Sequence, residues 1–264
     1  MINKPIVGVA VLIFVLAAAG VYYLKARNPT LPAAPGAPVS VSPPAQEPGI
    51  SHPLPQGAGN AAPAAALPEL ADSDTPLREA LTQLSSADAV KNFLVPQDLI
   101  RKIVVTIDNL PRQKVAVDKR PANPAAGSLL VNGDELHATI DQRNFDRYKP
   151  MVAVVSQLDA KQLGALYIRY FPLFQQSYQN LGYPNGYFND RLVEVIDNLL
   201  ATPDLKGPIE LVRPNVMYIY ADPALESRSA GQKLLMRMGP ENAKAVKAKL
   251  TELRAVIAAG PPKH

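Results

Sequence analysis

The sequence predicts an α+β fold: a predominantly helical soluble domain with a short hairpin and one further strand region, preceded by a single transmembrane helix. Three observations lead there. Apolar residues recur at three- and four-residue spacing between recognisable helix caps through most of the chain after residue 70. Strand signals are confined to the surroundings of Asn132-Gly133 and to residues 209–221. Residues 6–24 form an uncharged apolar run of nineteen.

That run spans about 28 Å as a helix, close to the thickness of a bilayer's hydrocarbon layer. Tyr22 and Tyr23 fall at headgroup depth, and Lys25 and Arg27 close it. A cleaved signal peptide would use Ala17-Ala18-Ala19 as its cleavage site, yet the apolar stretch continues through Val21–Leu24; an uncleaved anchor accounts for all of it. Flanking charge is nearly balanced. A short N-terminal tail before a long polar remainder favours a signal anchor, with the domain on the outer side of the membrane. Residues 1–27 are thus read as anchor, 28–66 as a disordered tether, 67–260 as the folded domain and 261–264 as a frayed tail. The tether is dense in Pro, Ala and Gly, which excludes helix and sheet. Its reach lies between about 35 Å as a coil and about 120 Å fully extended.

The first helix is expected near Asp74 with Pro76 in its first turn, burying Leu77, Leu81 and Leu84. A second follows Pro96, with Leu99, Ile100, Ile103, Val104 and Ile107 on one face, and stops at Pro111. Asn132-Gly133 separates two short apolar stretches and suits a type I′ hairpin turn. A helix through 151–158 precedes a long one opened by Asp159 and Gln162, bent by Pro172 and ended by Gly182. Asn189 is read as the cap of a helix that turns Leu192, Val195, Ile196, Leu199 and Leu200 inward. The strand region over 209–221 is broken at Arg213-Pro214-Asn215. Asp222-Pro223 restarts helix, Ser229 and Gln232 cap a further piece, and Gly239-Pro240 opens a last helix with a Val246, Leu250, Leu253 and Ile257 seam.

Composition narrows the chemistry. The chain of 264 residues has no cysteine, which excludes disulfides, thiolate metal sites and a cysteine nucleophile. His137 is the one histidine of the domain body, so an ordinary zinc site is excluded as well; no metal or cofactor is expected. No glycine-rich phosphate loop follows a strand, and there is no G-x-S-x-G elbow. The net charge of +4 falls to +2 once Lys4, Lys25, Arg27 and Glu47 are set aside, too mild for a nucleic-acid partner.

Several segments carry a resemblance: Val105-Thr106-Ile107-Asp108-Asn109-Leu110-Pro111-Arg112, Tyr170-Phe171-Pro172-Leu173-Phe174-Gln175, Leu181-Gly182-Tyr183-Pro184, Phe188-Asn189-Asp190-Arg191-Leu192, and the run from Gly231 to Asn242. Together, from about Leu67 to Ile257, they resemble a bacterial domain-of-unknown-function family catalogued under number 3014. The resemblance implies a bacterial source, hence an anchor in the bacterial inner membrane with the domain in the periplasm, and an anchor-plus-tether layout; it carries no activity.

Two residue groups attract function. Eight of the sixteen aromatics fall between Tyr167 and Phe188, a density that suits either a ring-lined groove or a core. The ligand-binding candidates are Tyr170, Phe174, Tyr183, Tyr187, Asn189 and Arg191, joined by Lys233 and Arg237, which lie one helical turn apart. Asp190 and Glu194, and likewise Asp222 and Glu226, share a helix face and are candidate catalytic carboxylates; helix-dipole and capping roles are their simpler explanation. The leading expectation is a non-enzymatic envelope protein, anchored in the membrane and binding another envelope protein or the cell wall. The alternatives are an envelope glycan- or peptide-cleaving enzyme and a small-ligand sensor.

Overall fold

The computed structural model describes residues 49–55, 66–113, 119–125, 127–134, 137–214 and 217–258. The apolar run at 6–24 and the tail at 261–264 lie outside them. Among the described residues no helix is long and apolar enough to cross a membrane.

After a 3-10 turn at Leu70–Asp72 come helices α1 (Asp74–Leu84), α2 (Ala87–Phe93) and α3 (Leu99–Asn109). Strands β1 (Val131–Asn132) and β2 (Ala138–Ile140) lead to α4 (Arg143–Asp146), α5 (Lys149–Ser156), α6 (Ala160–Asn180) and α7 (Phe188–Leu200). Strands β3 (Glu210–Val212) and β4 (Ile219–Tyr220) precede α8 (Pro223–Glu226), α9 (Ala230–Arg237) and α10 (Pro240–Ile257). The fold is therefore predominantly helical α+β, as the sequence predicts.

Caps explain several starts. The Asp159 carboxylate accepts from the N–H groups of Lys161 and Gln162, satisfying donors that α6's first turn leaves open. Ser229 and Gln232 form a reciprocal capping box on α9, and Asp222 caps α8 through Ala224 N–H at 2.7 Å. Pro172 lies inside α6, which runs unbroken from Ala160 to Asn180. Helices α2 and α4 are additions to the sequence expectation; Ser86 caps α2.

Two expectations are corrected. The Asn132-Gly133 dipeptide does not make a two-residue turn: Asn132 pairs with Thr139, so residues 133–138 separate the paired positions. Only Gly133 adopts positive φ, 97°. The hairpin and the later strand region also join, since β2 pairs antiparallel with β3, giving a four-stranded sheet in the order β1-β2-β3-β4. Nor is Asn189 a cap. Helix α7 begins one residue earlier, at Phe188, whose ring is fully buried, and this turns Asn189 inward.

The main core lies among α1–α3, α5–α7, α9 and α10, with α10 packed on α5, α6 and α7, and α3 on α6 and α7. A smaller core of Ala138, Ile140, Ile209, Leu211, Tyr220 and Met236 joins the sheet to α9. Gly239 is the hinge between α9 and α10, with φ 86° and three Phe145 ring carbons 2.5–2.7 Å from where a Cβ would stand. Gly239→Ala should therefore combine backbone strain with a clash, costing about 2 kcal/mol or more. Thermal unfolding would show a drop of at least about 4 °C for a domain of this size; no drop would mean that this turn relaxes at little cost.

Candidate functional site

Helix α6 ends at Asn180, and the chain doubles back through Gly182 (φ 116°) to start α7. Gln175 fixes this turn from α6: its side-chain N–H donates to Gly186 O at 2.7 Å, and its oxygen accepts from Phe188 N–H at 2.8 Å. Tyr178 and Tyr183 stack at 4.6 Å. Between this turn, α3 and the first half of α7 lies a cleft of about 590 Å³, lined by Ser51, His52, Asp108, Tyr178, Tyr183, Tyr187, Asp190, Arg191, Glu194 and Asp197.

Charge in the cleft is organised around Asp108, which is buried on α3. Its carboxylate accepts from the Arg112 guanidinium at 2.6 Å and from Tyr183 O–H at 3.3 Å, and lies 3.2 Å from Arg191 Nε. The Asp108 backbone carbonyl accepts a second Arg191 N–H at 2.7 Å, and Arg191 also pairs with Glu194 at 2.8 Å. Burial works against the Arg191 charge, but the Glu194 hydrogen bond and the charges of Glu194 and Asp108 outweigh it and hold the guanidinium above its ordinary pKa. On the far side, Asp197 receives Arg254 of α10 in a two-point ion pair at 2.5 and 2.9 Å.

One wall of the cleft comes from the stretch read as an unstructured tether. Residues 49–55 lie against α7: the N–H groups of Ser51 and His52 donate to the two Asp190 oxygens at 2.9 and 2.6 Å. Leu54 N–H donates to Tyr187 O–H at 3.4 Å, and the His52 carbonyl accepts from Asn189 at 2.8 Å. Asn189 is fully buried; it also donates to Ile257 O at 3.0 Å and accepts from Tyr167 O–H at 3.0 Å. Burial pushes the Tyr167 hydroxyl well above the usual phenol range, which keeps it a donor to Asn189. Composition disfavours helix and sheet here, and residues 49–55 form neither; their docking uses acceptors and one donor supplied by a distant part of the chain.

The sequence matches, over residues 99–254, the family described as Protein of unknown function (DUF3014); the matched span is more than half of the chain. The chain belongs to this family. No curated protein and no solved structure matches it. The DUF3014 span contains Asp108, Arg112, Tyr183, Asn189, Asp190 and Arg191, whereas the docked segment 49–55 lies outside it.

Of the sequence candidates, Tyr183, Tyr187, Asn189, Arg191, Asp190 and Glu194 gather at or under this cleft. Tyr170 and Phe174 are instead core residues. Lys233 and Arg237 are elsewhere and are no open anion site. Lys233 is buried and pairs with Glu226 at 2.9 Å, and Arg237 lies over the Tyr220 ring at 5.3 Å. Asp222 is spent on its cap, and Glu226 on Lys233 and on Tyr220 N–H. Neither lines the cleft. A larger hollow of about 690 Å³ beside β2 and the start of α10 contains none of the sequence candidates, and its Asp141 and Arg143 pair with each other at 2.7 Å. No group of three or more His, Asp or Glu placed to hold a metal ion occurs among the described residues.

Sequence reasoning missed Asp108, Ser51 and His52 as site residues; Tyr178 belongs to the aromatic run it singled out, and Asp197 lies one turn beyond Glu194 on the candidate carboxylate face. For Asp108 a signal existed: Ile100, Val104 and Asp108 form one stripe of α3, so a carboxylate falls on its apolar face. For Ser51 and His52 there was none.

Proposed function

We propose that this DUF3014 protein is a single-pass protein of the bacterial inner membrane, anchored by residues 6–24, whose periplasmic domain binds an envelope protein through the cleft at the start of α7. The observation that carries the reading is how the cleft's charged groups are used. Asp108 holds Arg112 and Tyr183, Glu194 holds Arg191, Asp197 holds Arg254, and Asp190 holds two backbone N–H groups. Such an arrangement presents a fixed pattern of acceptors between tyrosine rings, which suits recognition.

The lining bears four carboxylates, Asp108, Asp190, Glu194 and Asp197, against the single guanidinium of Arg191. Arg112 and Arg254 reduce that excess without removing it. A partner that presents hydrogen-bond donors, main-chain N–H or ammonium, is favoured over an anionic polymer. The competing reading, a glycan- or peptide-cleaving enzyme, has Asp190 and Glu194 along this cleft. It requires two carboxyls open to substrate, and both Asp190 oxygens are taken by the N–H groups of Ser51 and His52. The sensor reading rests only on the cleft's size and its three tyrosines.

A photo-reactive amino acid in place of the exposed Glu194 tests the proposal in living cells. The expected result is a discrete protein adduct whose yield falls about tenfold when Tyr183→Ser is added, the loss of one aromatic anchor. No adduct, or one indifferent to Tyr183→Ser, would remove the cleft from partner binding. Protease treatment of spheroplasts, read with an antibody to the C-terminus, tests the orientation: cleavage is expected, and protection until lysis would place the domain in the cytoplasm.

A further inference from the structure

The segment seated at the start of α7 is held almost wholly by its main chain. Ser51, His52 and Leu54 each donate their backbone N–H, and the His52 carbonyl accepts. The intervening residues are Pro53 and Pro55, which have no N–H to leave unsatisfied. Each proline also keeps the residue before it, His52 or Leu54, out of helical conformation. Every N–H from Ser51 to Pro55 is thereby used, and the Leu54 side chain packs against the main core. Among the described residues no side chain of the segment hydrogen-bonds to the domain.

The receiving groups are built for a peptide. Asn189 has two amide hydrogens, one fixed on Ile257 O and the other on the His52 carbonyl, while its oxygen is taken by Tyr167. With the segment gone, a buried donor would be left facing the vacated place, a situation proteins seldom leave uncorrected. Asp190, with two oxygens set for two consecutive N–H groups, reads a chain that bends at Ser51 and His52 before the prolines. A second observation points beyond a fixed strap: His52 Nδ1 is buried with no hydrogen-bond partner, and His52 lines the cleft that continues past the segment.

We propose that Tyr187, Asn189 and Asp190 form a receptor for an x-x-Pro-x-Pro peptide of the partner protein, bent at its first two residues and occupied in cis by Ser51–Pro55 until that partner displaces it. This rests on the partner-binding reading above and names the chemistry of what binds. Ten residues, 56–65, separate Pro55 from Ala66, so the cis segment competes at an effective concentration on the order of millimolar. A free peptide with a Kd of ~0.1 mM would bind about tenfold more weakly while that competitor is present.

The test uses the full chain in detergent micelles and a fluorescent peptide of sequence GISHPLP, read by anisotropy and by amide chemical shifts of α7. A chain carrying Ser51→Pro and His52→Pro loses both N–H donors to Asp190 and should bind the peptide about tenfold more tightly than the unaltered chain. Adding Asp190→Asn, which keeps the side chain's shape and so spares the fold, should reverse that gain. So should N-methylation of the serine and histidine of the peptide. Thermal unfolding of each variant confirms that the domain remains folded. Equal binding to the unaltered and strap-released chains, or binding indifferent to Asp190→Asn, overturns the proposal. If the Glu194 adduct persists while the peptide fails, this inference alone falls; if the adduct is also absent, partner binding at the cleft falls with it.

Discussion

Phe188→Ala is expected to cost the domain about 4 kcal/mol, because a fully enclosed phenyl ring is removed from a site that cannot close around the gap. Phe188 is 0% exposed. Its ring stacks on Phe174 at 5.8 Å with 4° between planes and meets Tyr178 at 5.5 Å, so the loss includes aromatic contacts beyond area alone. It is also the first residue of α7, and its N–H donates to Gln175. The ring therefore pins both the helix start and the turn that carries Tyr183. At 2–4 °C per kcal/mol for a domain of this size, the melting temperature should fall by about 8–16 °C. Phe188→Leu, which keeps most of the volume, should lose only about 1 kcal/mol. Denaturant unfolding of the two variants side by side checks the ratio, and equal losses would mean that packing at this position is not what fixes α7.

That same residue shows where sequence reading succeeds and where it stops. Apolar periodicity located α1 and α3, and a local device marked the start of α6, α9 and α10: the Asp159 carboxylate, the Ser229–Gln232 box, and Gly239 before Pro240. Local preference misled at Asn189. Asparagine at a helix start is usually a cap, but burying Phe188 pulls the helix back one residue and turns the amide into the core. The sheet was only half legible. Strands of two or three residues carry little alternation, and the pairing of Thr139 with Glu210 joins positions far apart in the chain. The candidate site divides the same way. Tyr183, Tyr187, Asp190, Arg191 and Glu194 fall together because one helix start and its preceding turn hold them. The docked 49–55 segment depends instead on Asn189 and Asp190, more than 130 residues later, which no local composition reveals.

Asp108→Ala should be the most damaging single change to the cleft, with a stability loss of about 3 kcal/mol. The Asp108 side chain is 6% exposed and stands opposite Arg191, itself 17% exposed. Deleting the carboxylate leaves a largely buried guanidinium with Glu194, at 62% exposure, as its remaining carboxylate. The full penalty of an unpaired buried charge is softened in two ways. Arg191 keeps its bond to the Asp108 backbone carbonyl, and Arg112, at 53% exposure, can turn to water. Tyr183 loses its own acceptor at the same time and keeps only the bond it accepts from Arg112 at 3.0 Å, so the ring stacked on Tyr178 is held less firmly to the end of α3. The loss should thus appear twice, as lower stability and as weaker capture at the cleft. A double-mutant cycle separates the causes. If the penalty comes from stranding the Arg191 charge, Arg191→Met in the Asp108→Ala background should restore about 1–3 kcal/mol, since no charge then remains to be neutralised. Strict additivity of the two changes would mean that Asp108 acts on the fold through Arg112 and Tyr183, and that the buried pair with Arg191 is neutral in sum.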